Sequence, residues 1–157
     1  MDIRSELTQR FFRYLAVESQ SDARSTSLPS TQGQQRLAAL LASELQELGL
    51  DNIVLDDHAT VTAVRRGTRM DSPKIGFIAH LDTADVGLSA IIRPQVLRFE
   101  GVDICLNAKD DIWLRTAEHP EIMPWSGHDI IFSNGTSVLG ADNKAAIAVI
   151  MTLLARL

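Results

Sequence analysis

Residues 75 to 85 read IGFIAHLDTAD, and no other stretch constrains the fold as tightly. The apolar run that follows the polar turn RGTRMDSP predicts a buried strand over 74–79, ended sharply by ionisable residues. In open α/β sheets, ligands bind beyond the carboxyl ends of parallel strands. His80 and Asp82 fall at such an end. A loop that is merely polar is the other reading of the same residues.

The rest of the chain alternates helix and strand signals. Ile3, Leu7, Phe11, Tyr14 and Leu15 have helical spacing over 3–17. The Ser-rich stretch SQSDARSTSLPS, 19–30, reads as a loop. In the next helix Thr31 and Gln34 have capping-box spacing. Leu37, Leu40, Leu41, Leu45 and Leu48 form one stripe there, and Gly49 is the expected stop. Short strands are expected at 52–55 and 60–65, separated by DDHA. Residues 86–128, with Pro94, Pro120 and Pro124, read as excursions and short strands. Asn134-Gly135 marks a hairpin turn between two further strands, the second over 138–139. From Ala145 to Leu154 apolar residues cover nearly every side of a last helix, which is therefore expected to be buried around most of its circumference. That helix has no terminal Gly, Pro or polar cap before Leu157, so further sequence is expected to follow it. The alternation predicts a single α/β domain over 1–157, built in layers.

Composition removes several function classes. A net charge of −5, with twelve Arg and three Lys spread along the chain, leaves no basic stripe for nucleic acid or an anionic membrane. Cys105 stands alone, which excludes a disulfide framework and a Cys-rich zinc module; it reads as a packed thiol. The N-terminus lacks the apolar core of a signal peptide, and no stretch is long enough to span a bilayer. A soluble cytoplasmic protein is expected.

Two polar clusters follow apolar strand signals: His80-Leu81-Asp82 and Asp142-Asn143-Lys144. Imidazole and carboxylate are the ligands zinc takes when cysteine is absent. A liganding His needs an acceptor for its other ring N–H, and Asp82, two residues on in an extended segment, is placed to accept it. Asp142 taken alone reads first as an N-cap. His58, His119 and His128 lie in turn-like segments and read as solvated loop residues.

FIAHLDTAD and LGADNKAAIAVIM resemble the two N-terminal metal motifs of the peptidase T family, tripeptide aminopeptidases among the di-zinc metallopeptidases. PSTQGQQRLAALLASELQELGL and the opening helix resemble that family's first segment in order and spacing. The likeness covers essentially the whole chain, least clearly over 86–128. It implies an α/β/α three-layer sandwich with a mixed sheet, of which this chain is the N-terminal part. It also implies that His80 binds one zinc, that Asp82 orients His80 in a catalytic role, and that Asp142 bridges two zincs. The implied substrates are short peptides, cleaved after the N-terminal residue by a water activated between the metals. A Glu-Glu pair further along supplies the family's general base and another ligand, and a further acidic ligand and a late His complete the site. None of these lies within this chain, nor does a lid or dimerisation domain, so partial zinc occupancy and an inactive isolated chain are expected. Where the family reads Asp-Asp-Lys-Ala-Gly, this chain has Asp142-Asn143-Lys144-Ala145-Ala146. The Asn keeps the bridging Asp and removes a neighbouring charge.

Two other functions fit the same residues. One is a non-catalytic module that acts by pairing with another chain, or as a homodimer, through an exposed core. The other is a different metal-dependent hydrolase, for instance one acting on phosphorylated substrates, which the lack of a Gly-rich phosphate loop and of a basic cluster disfavours.

Overall fold

The computed structural model describes residues 2–69 and 71–157. Met1, in the N-terminal segment, and Met70, in the expected polar turn, lie outside them. The backbone forms two compact units, one of residues 1–86 with 140–157 and one of residues 87–139.

The first unit opens with α1, Ile3–Leu15, whose N-cap Asp2 accepts hydrogen bonds from the Arg4 and Ser5 amides. Its inward residues Phe11, Tyr14 and Leu15 are buried. α2, Gln32–Glu47, follows the loop and buries Leu37, Leu41 and Leu45 of the expected stripe. Thr31 is its N-cap but makes no capping bond; its hydroxyl donates to the Gln20 carbonyl, and Gln34 donates to the Ser30 hydroxyl. The capping box is therefore not formed, because the loop competes for the same groups. Gly49, at a φ of 72°, stops the helix as expected. The hairpin of β1, Asp51–Leu55, and β2, Val61–Val64, is antiparallel, and Asp56 closes its turn by accepting from the His58 and Thr60 amides. α3, Ala141–Leu154, packs on α1 and buries Lys144, Ile147, Ala148, Met151 and Thr152. Each large apolar side chain so buried contributes roughly 1.5–3 kcal/mol.

α3 corrects one expectation. It is buried along the face toward α1, while Val149 and Leu153 are exposed. The predicted strand over 74–79 is a larger correction. Among the described residues nothing pairs with it, and Ile75, Phe77 and Ile78 are exposed. A strand needs a neighbour for its amides and carbonyls, and an apolar sequence does not supply one.

In the second unit β3, Pro94–Phe99, pairs antiparallel with β6, His128–Ser133, in unbroken register. β4, Ile104–Asn107, pairs with β5, Ile112–Leu114. Half-buried Cys105 lies in β4. A 3-10 turn, Pro120–Trp125, carries Pro120 and Pro124. Ile92, Phe99 and Phe132 are the buried apolar residues here. The turn at Asn134 forms, its side chain accepting from the Thr136 amide and hydroxyl, but no strand follows at 138–139. β6 finds its partner in β3 instead.

The chain is thus a mixed α/β structure with three two-stranded antiparallel sheets among the described residues. The mixed sheet of a three-layer sandwich is not assembled by them. No described helix is long and apolar enough to cross a membrane.

Candidate metal centre

The structure brings His80, Asp82 and Asp142 together within the first unit. His80 Nδ1 lies 3.1 Å from Asp82 Oδ1 and 3.1 Å from the Asp82 carbonyl oxygen. On the other side of the ring, Nε2 lies 2.9 Å from Asp142 Oδ1. The imidazole is bracketed by two carboxylates, one from two residues along the same loop and one from 62 residues further on. All three side chains are open to solvent, Asp142 almost fully.

Neither half of the site stands on a regular element. His80 and Asp82 lie in a loop without helix or strand, tied by an isolated parallel bridge between Gln20 and Thr83. Asp142 lies in the first turn of α3, where Asp142 and Asn143 have non-helical backbone angles and the peptide bond between them is cis. Gly140, in the left-handed region, holds the N-cap position with no side-chain capping bond, so Asp142 is not the cap and its carboxylate faces His80.

Burial pulls the His80 pKa down, but the ring's hydrogen bond to Asp142 and the charge of Asp82 outweigh it and leave the ring above its ordinary value. With an acceptor at each nitrogen, the protonated ring satisfies both. A metal taking Nε2 therefore displaces a proton, while Asp82 keeps the Nδ1–H and with it the tautomer.

The donor types suit zinc, since one nitrogen and one carboxylate oxygen converge on the same space. Their number does not complete a zinc site: the described residues hold no group of three or more His, Cys, Asp or Glu placed to share a metal ion. His80 and Asp142 can hold an ion only together with donors from elsewhere.

The other histidines sit apart from this chemistry. His58 lies in the β1–β2 turn, His119 contacts Glu121, and His128 opens β6 rather than lying in a loop. Sequence reasoning did not find the residues that hold the site. Ser19, buried in the stretch read as a loop, donates from its hydroxyl to the Leu81 carbonyl at 2.7 Å. Lys144, fully buried, donates to the Val17 carbonyl at 2.7 Å, and burial lowers its pKa to about 8. A single Ser in a Ser-rich run carries no periodicity, so no local signal marks Ser19 as internal.

No family model matches the chain. Over all 157 residues it is 67% identical to a peptidase T-like protein of Rhizobium meliloti (strain 1021), of which it covers 38%. It is 64% identical over 152 residues to a peptidase T-like protein of Yersinia pestis, covering 97% of this chain and 37% of that protein. A peptidase T of Geobacillus sp. (strain WCH70) is 41% identical over 157 residues, 99% of this chain and 38% of that protein. The chain thus spans well under half the length of these relatives. Over essentially every residue it is homologous to a segment of the peptidase T and peptidase T-like proteins, as its two polar motifs imply.

Proposed function

We propose that the chain carries part of the metal site of a peptidase T-like aminopeptidase that removes the N-terminal residue of short peptides such as tripeptides in the cytoplasm. The observation that carries this reading is the His80 ring held between Asp82 and Asp142. The relatives' names support a peptidase. In this reading His80 Nε2 and the Asp142 carboxylate hold zinc, and Asp82 orients the ring. When bound, zinc supplies a Lewis acid for the peptide carbonyl and raises the acidity of water. The remaining donors and the general base belong to the portion of the relatives that this chain does not span. The part of the three-layer sandwich that would pair with 74–79 belongs there too.

Calorimetric zinc titration tests the site. The 157-residue chain is expected to bind zinc weakly, and His80→Ala or Asp142→Ala to weaken it by at least about tenfold. Unchanged affinity in both variants overturns the reading. The chain alone is expected to show no tripeptide turnover, because a water without a general base keeps its proton.

A second reading, association with another chain, is favoured by a separate observation. Ile75, Phe77 and Ile78 are 78%, 57% and 96% exposed, and Val149 and Leu153 on α3 add to the uncovered apolar surface. Surface of this kind marks an interaction site.

A further inference from the structure

Between α1 and α2 runs a short segment, 17–21, that makes hydrogen bonds in two directions. Toward the His80 loop, Ser19 Oγ donates to the Leu81 carbonyl, which lies between His80 and Asp82. The Thr83 amide donates to the Ser19 carbonyl at 3.1 Å, and the Ser21 amide donates to the Thr83 carbonyl at 2.9 Å. Toward α3, the Val17 carbonyl accepts from Lys144 Nζ, two residues after Asp142. Ser19, Thr83 and Lys144 are at most 2% exposed, so these bonds are shielded from water. Behind the segment, α2 presses directly on it: a Cβ at Gly33 would stand 2.0 Å from the Glu18 carbonyl oxygen. Thr31 adds a bond to the Gln20 carbonyl at 2.8 Å.

Helix or sheet geometry cannot set the distance between His80 and Asp142, since His80 is on no element and Asp142 is on a non-helical turn. Segment 17–21 is bonded to Leu81, next to His80, and to Lys144, two residues after Asp142. We propose that this segment is the positioning strap of the site, fixing His80 against Asp142 through Ser19 on one side and Lys144 on the other. Ser19 and Lys144 spend their polar atoms on the Leu81 and Val17 carbonyls rather than on the ring or the carboxylate, and act through the backbone they hold. A buried ammonium aimed at a single backbone carbonyl is costly to desolvate unless it is bonded, and here the bond crosses from α3 to the strap.

The consequence for zinc rests on the metal-site reading, but the positioning itself does not, so the test has a metal-free arm. In the metal-free chain, proton–nitrogen NMR of the His80 imidazole reads the hydrogen-bonded Nε2 proton. Ser19→Ala and Lys144→Met are expected to abolish or shift that signal. Ser19→Thr, which keeps the hydroxyl, is expected to restore it. Leu41→Val, in the core of α2 and outside the strap's bonds, is expected to lower the melting temperature and leave the signal in place. The second arm is zinc titration, where the two strap variants are expected to bind about 10–100-fold more weakly, the usual cost of losing a residue that orients a ligand. A wild-type chain that binds no zinc removes the metal reading and leaves the NMR arm to judge the strap. Should Ser19→Ala not fold, Lys144→Met carries the test. A folded strap variant with the wild-type ring signal, or a Leu41→Val chain that loses the signal equally, overturns the proposal.

Discussion

At Gly33, α2 lies against the Glu18 carbonyl, and a methyl group there would have to displace backbone rather than the end of a flexible side chain. Gly33→Ala is therefore expected to destabilise the chain by about 1–3 kcal/mol, even though Ala is the better helix former. A urea midpoint equal to or above wild type would refute this contact. A second residue-scale prediction concerns Tyr14, which is fully buried and donates to Glu44 Oε2 at 2.6 Å. Burial, with the Glu44 hydrogen bond and charge adding to it, pushes the phenol pKa far up, so the hydroxyl stays a donor at every working pH. The other Glu44 oxygen takes Arg13 at 2.7 Å. Tyr14→Phe leaves a buried carboxylate short of one donor, a loss of about 1–3 kcal/mol. Thermal unfolding of the variant at neutral pH gives the answer, and a cost below a few tenths would mean that water replaces the phenol.

Among the elements, α1 and α3 pack on one another, with Ile147, Ala148, Met151 and Thr152 of α3 buried and Val149 and Leu153 exposed. Polar bonds close the edge of that contact. Glu6 on α1 holds Arg10 in the same helix and Arg156 beyond the end of α3, the latter at 2.8 Å, and Arg10 reaches Thr152. The two guanidinium partners keep the Glu6 carboxyl below its ordinary value of 4.5. A carboxylate with a lowered folded pKa stabilises the fold above its unfolded pKa, and that contribution is lost as pH falls through the folded value. The stability gap between wild type and Glu6→Gln is thus expected to be full at neutral pH and to close below pH 4.5. Denaturation series at several pH values check it; a gap independent of pH would assign the effect of Glu6 to packing.

For the whole molecule, the uncovered apolar side chains at 74–79 and on α3 govern behaviour in solution. Neither surface has cover among the described residues, and unpaired backbone beside exposed Ile and Phe templates pairing with another chain. The chain is expected to self-associate at micromolar concentration, and Ile78→Lys to shift it toward monomer without loss of helical signal. Sedimentation equilibrium decides between these, and a wild-type monomer that binds no apolar dye would mean that the surface is inert.

Local signals were enough for α1, α2, the β1–β2 hairpin and the stop at Gly49, because amphipathic spacing and turn residues act within a few positions of themselves. They also singled out His80, Asp82 and Asp142, since ionisable residues after apolar runs are conspicuous in any sequence. What local signals could not supply was partners. Residues 74–79 look like a strand, yet a strand exists only when another backbone bonds to it, and none among the described residues does. α3 is apolar all round, but which face is buried follows from where α1 lies. Thr31 has the spacing of a capping box and spends its hydroxyl on Gln20 instead. Ser19 and Lys144 are fixed by hydrogen bonds to residues 62 and 127 positions away, and separations of that size leave no trace in a local pattern. Sequence determined α1, α2 and the first hairpin and brought out the candidate side chains; tertiary structure decided which expected strands form and which backbone holds those side chains, because a hydrogen bond has to be closed by a partner in space.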